Sequence, residues 1–151
     1  MLPTLSMSDE QPGLRPRLAH ASRRLAVQHE YLDALLATTR RALERNAPAE
    51  AREALHALRG ALDAHFALEE QVHFPALHGL DPARNREIEA LVLEHRALRD
   101  RLLVLEGRVG REPRDAVARD FVDLGAALRE HESREERLFE GSIANGNGPR
   151  A

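Results

Sequence analysis

Four stretches of the chain carry apolar residues at alternating spacings of three and four, and Pro, Gly and Asn separate them. The first seam, less regular than the others, is Leu18, Leu25, His29, Leu32, Leu36, Thr39 and Leu43. The second is Leu55, Leu58, Leu62, His65, Glu69, Val72 and Ala76. Ile88, Leu91, His95, Leu98, Leu102, Leu105 and Val109 make the third. Val117, Phe121, Leu124, Leu128, His131, Glu135 and Leu138 make the fourth. Such spacing places one stripe on one face of a helix, and a stripe of that width has to be covered by other helices.

The breaks fit this reading. The patterns run from about Arg17 to Arg45, then to about Leu77, from Ala83 to about Val109, and finally to near Phe139. Asn46-Ala47-Pro48 ends the first and opens the second, with Pro48 suited to a first helical turn. Gly79-Leu80-Asp81-Pro82 offers a stop, an N-cap at Asp81 and a proline start. Gly110 and Pro113 divide the last two. The expected fold is all-α: an up-down-up-down four-helix bundle over residues 14–140. Residues 1–13 read as a disordered lead-in and 141–151 as a flexible tail.

Composition removes several kinds of chemistry. There is no Cys among the 151 residues, so disulfides, thiolate zinc sites and iron–sulfur clusters are excluded. All 22 basic residues are Arg, which excludes a P-loop lysine and a Schiff base. A net charge of −3 with alternating signs argues against nucleic acid as a partner. No window is apolar enough to span a membrane and no signal peptide is evident, so the expected location is the cytoplasm. Oligomeric state is not legible.

The seams are interrupted by His29, His65, Glu69, His95, His131 and Glu135, one His per helix and a Glu four residues after two of them. His29 to His65 spans 36 residues, as does His95 to His131, and His29 to His95 spans 66, as does His65 to His131. A gapless shift of 66 also superposes Leu32 on Leu98, Leu58 on Leu124, Leu62 on Leu128 and Val72 on Leu138. The chain therefore reads as an internally duplicated helical hairpin with a pseudo-two-fold axis. His29 lies 16 residues before Arg45 and His65 lies 16 after Ala49. At 1.5 Å per residue, both are roughly 24 Å from the same turn, so the four His reach one layer.

Burying such a layer unpaired would cost roughly as much as a domain's whole stability, about 5–15 kcal/mol. Metal ions are the natural partners of imidazole nitrogen and carboxylate oxygen. Iron, manganese or zinc would suit four His and two carboxylates without sulfur. Six ligands exceed one tetrahedral zinc and suit two ions that share the Glu carboxylates.

Around these residues stand "QHEYLDALL", "HFALEEQVHFP", "LEHRALRDRL" and "HESREERLF". With them the chain resembles the hemerythrin-like, or HHE cation-binding, proteins over about residues 14–140. The resemblance implies a non-haem di-iron centre with an oxo or hydroxo bridge. Its ligands would be His29, His65, Glu69, His95, His131 and Glu135, with Glu69 and Glu135 bridging. It implies a small diatomic or peroxo ligand: O₂, nitric oxide or peroxide. The pattern departs from the O₂-carrying hemerythrins, which have a second His on the third helix where this chain has Leu91 and Arg99, and which end in His-x₄-Asp rather than His131-x₃-Glu135. Four His leave a coordination position open, which favours redox, peroxide or nitric-oxide chemistry over O₂ storage. The alternatives are a metal-dependent sensor or interaction module, and an iron-handling protein without turnover.

Other polar residues read more plainly. Glu70 and Glu136 are about 500° of helix turn from the His four-and-one residues before them and are expected on the solvated surface. Asp33, Arg96 and Arg99 read as surface charges, and His20, His56 and His78 as surface His. His73 follows Glu69 by four. It reads as a partly exposed His near a helix end, with a fifth nitrogen, a donor to a ligand residue or a proton shuttle as the alternatives.

Overall fold

The computed structural model describes residues 13–145. The expectations for residues 1–12 and 146–151 lie outside it. Helix α1 is Leu14–Glu44, α2 Pro48–Leu68, α3 Phe74–Leu80, α4 Asn85–Arg108 and α5 Arg114–Asn145. A π-helical turn, Glu69–His73, joins α2 to α3 without leaving helical backbone angles. No strand occurs among the described residues. The architecture is an all-α helical bundle. Helix α1 packs on α2 and α5, and α4 packs on the same two, so each long helix has two neighbours.

The turns follow local chemistry. Pro48 opens α2, where its missing N–H costs nothing. Gly110 adopts φ +79, a left-handed backbone conformation that favours glycine. Asp81 departs from the N-cap expected of it. Pro82–Arg84 form a 3₁₀ turn and α4 starts only at Asn85. The Asp81 carboxylate instead accepts from Nε of Arg84 and Oγ of Ser142, each at 3.3 Å. Helix α5 also runs beyond its expected end at Phe139, through Asn145. Buried Ser142 and half-buried Ile143 give that extra turn a face to pack.

Two apolar clusters make the core. The larger contains Leu32, Leu36, Leu58, Leu62, Phe66, Leu98, Leu102, Phe121 and Leu128, among others. The smaller contains Leu18, Leu25, Phe74, Leu77, Ile88, Leu91, Leu138 and Phe139. Three long helices pass from one cluster to the other through a histidine, at Leu25–His29–Leu32, Leu91–His95–Leu98 and Leu128–His131–Leu138, whereas in α2 the larger cluster continues past His65 to Phe66. The histidine layer therefore divides the core into two dry halves.

The second seam fails beyond Glu69. Val72 is 53% exposed, whereas His73, Phe74 and Leu77 are buried. The Phe74 N–H bonds to the Glu69 carbonyl, five residues back, so the π turn inserts one residue and rotates the face. The second half has no such turn. The gapless superposition is therefore corrected: by the end of the π turn the shift has become 65, and His73, not Val72, takes the place of Leu138. Pro75 follows immediately and cannot donate to Gln71, which suits a locally widened helix.

Candidate metal centre

All six residues expected in the layer are buried, with Glu69, His95 and Glu135 fully so. They fall into two groups whose donor atoms all lie within 4.8 Å of one another: Glu69, His95, His131 and Glu135, and His29, His65 and Glu135. Glu135 belongs to both. Its Oε2 is 3.4 Å from Nε2 of His29, and its Oε1 is 3.2 Å from Nε2 of His95 and closer still to Nε2 of His131. Glu69 Oε1 is 2.8 Å from Nε2 of His65 and 3.7 Å from Nε2 of His95. All four Nε2 atoms thus point inward at two carboxylates.

The outer nitrogens are held from behind. Nδ1 of His29 bonds to Oε1 of Glu136 at 2.8 Å, and Nδ1 of His65 to Oε1 of Gln28 at 2.7 Å. Nδ1 of His131 bonds to Oε2 of Glu94 at 2.5 Å, and Arg134 braces Glu94. Nδ1 of His95 has only Glu70, 3.8 Å away, whose other oxygen is 3.7 Å from Arg99. Acceptors on the outside place the ring proton on Nδ1 and leave the Nε2 lone pair facing the centre.

These partners correct one expectation. Glu70 and Glu136 do reach solvent, at 26% and 42% side-chain exposure, but each faces a histidine from another helix. Intrahelical angle alone could not reveal that. Gln28 and Glu94 carried no assigned role at all. The usable signal was the repeat: Gln28 and Glu94 are 66 apart, as are Glu70 and Glu136, and each adjoins a residue of the layer. His56 is exposed, as are His20 and His78. Asp33 is half-buried beside Arg129. Arg99 departs from a plain surface charge, lying over the Phe66 ring and pairing with Asp63. His73 is 4% exposed rather than partly open, and it joins neither donor group.

Burial sets the charges. His95 lies between two aromatic rings, Phe66 at 3.9 Å and Phe74 at 5.7 Å between centroids, both nearly parallel to it. That desolvation pulls its pKa down to about 3 against the attraction of Glu69, so the ring is neutral and able to ligate. Burial pushes Glu135 well above the usual carboxylate range, and the negative charge of Glu69 pushes the same way. Burial would raise Glu69 too, but the close approach of His65 and Glu135 holds it below that range. Two carboxylates this close do not both ionise without a compensating positive charge.

The donor set fits a cation on a second ground. Nε2 of His29, His65 and His131, both oxygens of Glu69 and Oε2 of Glu135 are buried without a hydrogen-bond partner. Each such atom costs roughly 1–3 kcal/mol if it stays unpaired. A metal ion would satisfy all of them.

A helical bundle with a buried His/Glu cluster of this kind defines a cation-binding protein. The family model for the hemerythrin HHE cation-binding domain matches residues 20–141, and the chain belongs to that family. Comparisons with curated proteins and with solved structures find no match. No helix among the described residues is long and apolar enough to cross a membrane.

Proposed function

We propose that the protein holds two iron ions between His29, His65, Glu69, His95, His131 and Glu135, and that it binds or reduces a small ligand such as O₂, nitric oxide or peroxide. The observation carrying this reading is the sharing of Glu135 between two donor groups. One carboxylate within reach of both His pairs suits a bridged pair of ions and not two independent ones. Manganese or zinc would find the same donors acceptable.

When bound, the ions supply redox capacity and coordination positions that the protein leaves open. The chain supplies the rest. Glu136, Gln28 and Glu94 fix three imidazoles in the ligating tautomer. The apolar clusters on both sides exclude water, which strengthens every electrostatic interaction inside. Glu69 and Glu135 provide negative charge against the cations.

Metal per chain, measured by elemental analysis after expression in iron-replete medium, tests the proposal. About two irons per chain that respond optically to nitric oxide or peroxide support it. One zinc, or a folded bundle without metal, overturns it and leaves a structural layer in a sensor or interaction module. Iron that leaves to a weak chelator without unfolding would point to iron handling instead.

A further inference from the structure

His73 is a buried polar residue outside both donor groups, and packing alone does not explain its burial. It stands beside the smaller core cluster, whose buried members are otherwise Leu, Ile and Phe. Its ring meets Phe139 edge to face, centroids 6.2 Å apart at 88°. Its neighbour Phe74 stacks on His95. The corresponding position in the other half of the repeat, after the π turn is counted, is Leu138, also buried. A leucine therefore suits the slot, and an imidazole is not needed to fill it.

The imidazole is also costly there. Nε2 of His73 is buried and has no hydrogen-bond partner. An unmade hydrogen bond of that kind destabilises the fold. The titratable groups that act on it are Glu69 and His65 from the centre, and Arg24 and His20 from α1. Burial holds the ring neutral, so it keeps one N–H and one lone pair. It follows Glu69 by one turn, feels the charge of that carboxylate and joins neither donor group, which sets its unpartnered nitrogen about one turn from the centre. The π turn is the device that puts it there: with an unbroken α-helix, Val72 would take the Leu138 position and His73 the next one along. Single π turns inside α-helices are frequent at functional sites.

We infer that His73 is a positioning residue that hydrogen-bonds the small ligand of the metal centre, a polar contact that the equivalent Leu138 cannot offer. The inference rests on the proposed small-ligand function.

The test uses the iron-loaded full chain, with azide as the probe. Azide affinity is read by optical titration, and the antisymmetric azide stretch by infrared spectroscopy in H₂O and D₂O. Expected for His73→Leu is unchanged iron content, about tenfold weaker azide binding and loss of the deuterium shift of the stretch. His73→Gln, which keeps an N–H, should stay within about threefold of the wild type and retain the shift. Wild-type affinity and an unchanged shift in His73→Leu would overturn the inference alone. Loss of iron from His73→Leu would also overturn it, because His73 would then be a ligand. If the iron-loaded wild type binds no azide, the small-ligand function fails and the inference falls with it.

Discussion

Glu136 stands 2.8 Å from the outer nitrogen of His29, although 107 residues of chain separate them. Its repeat partner Glu70 faces the outer nitrogen of His95, the repeat partner of His29, at 3.8 Å. Gln28 with His65 and Glu94 with His131 form the other such set. The duplication thus extends past the six central residues to the groups that orient them. Glu70 stands between His95 and Arg99, whose Nη2 is 3.7 Å from its other oxygen.

Because the Glu136 bond is short, Glu136→Ala should weaken iron binding about tenfold in a chelator competition. Glu130→Ala, an exposed neighbour on the same helix, should leave it unchanged. Equal affinities for the two variants would remove Glu136 from the support of the centre.

His65→Ala and His131→Ala should each lower the iron content by at least one ion per chain, while His56→Ala retains all of it. Glu69→Gln should reduce iron content further than Glu70→Gln, since an amide is a poor bridge between cations. The reverse order in elemental analysis would show that the wrong carboxylate had been placed at the centre.

Removing the metal should lower the melting temperature, and added iron should raise it in a concentration-dependent way, because the ions bind only the folded arrangement. A melting curve indifferent to chelator and iron alike would contradict a metal held by this layer.

Glu132 gives a pH signature in the metal-free protein. It is 5% exposed, and burial first, then the charges of Asp33 and Glu136, raise its pKa to about 8 against the opposing pull of His131 and Arg129. The folded state therefore holds a proton that the unfolded state releases near pH 4.5. Its contribution to stability falls as pH rises from 4.5 to 8. Glu132→Gln should accordingly gain more over the wild type at about pH 8.5 than at about pH 5, as measured by urea denaturation. A pH-independent difference would mean that Glu132 ionises normally in the fold.

Phe66→Ala should cost about 3–5 kcal/mol in the same assay, because Phe66 is fully buried in the larger cluster and stacks on His95. A loss below about 1 kcal/mol would show that the two neighbouring layers close over the gap.

The sequence by itself determined the helical architecture and the six residues of the layer. A stripe at spacings of three and four, interrupted at the same depth in four segments, has few ways to be buried. The 66-residue repeat then made the His and Glu positions mutually consistent. Tertiary structure alone decided which groups stand behind the imidazoles, because Glu136, Gln28, Glu94 and Glu70 each act on a histidine from another helix. It also decided the fate of His73. Periodicity assumes a constant number of residues per turn, and one five-residue hydrogen bond from Phe74 to Glu69 changes that number where the chain passes the centre. The shift moves Val72 outward and His73 inward. A backbone choice of this kind depends on packing against the neighbouring helices, which a local pattern of apolar residues does not contain.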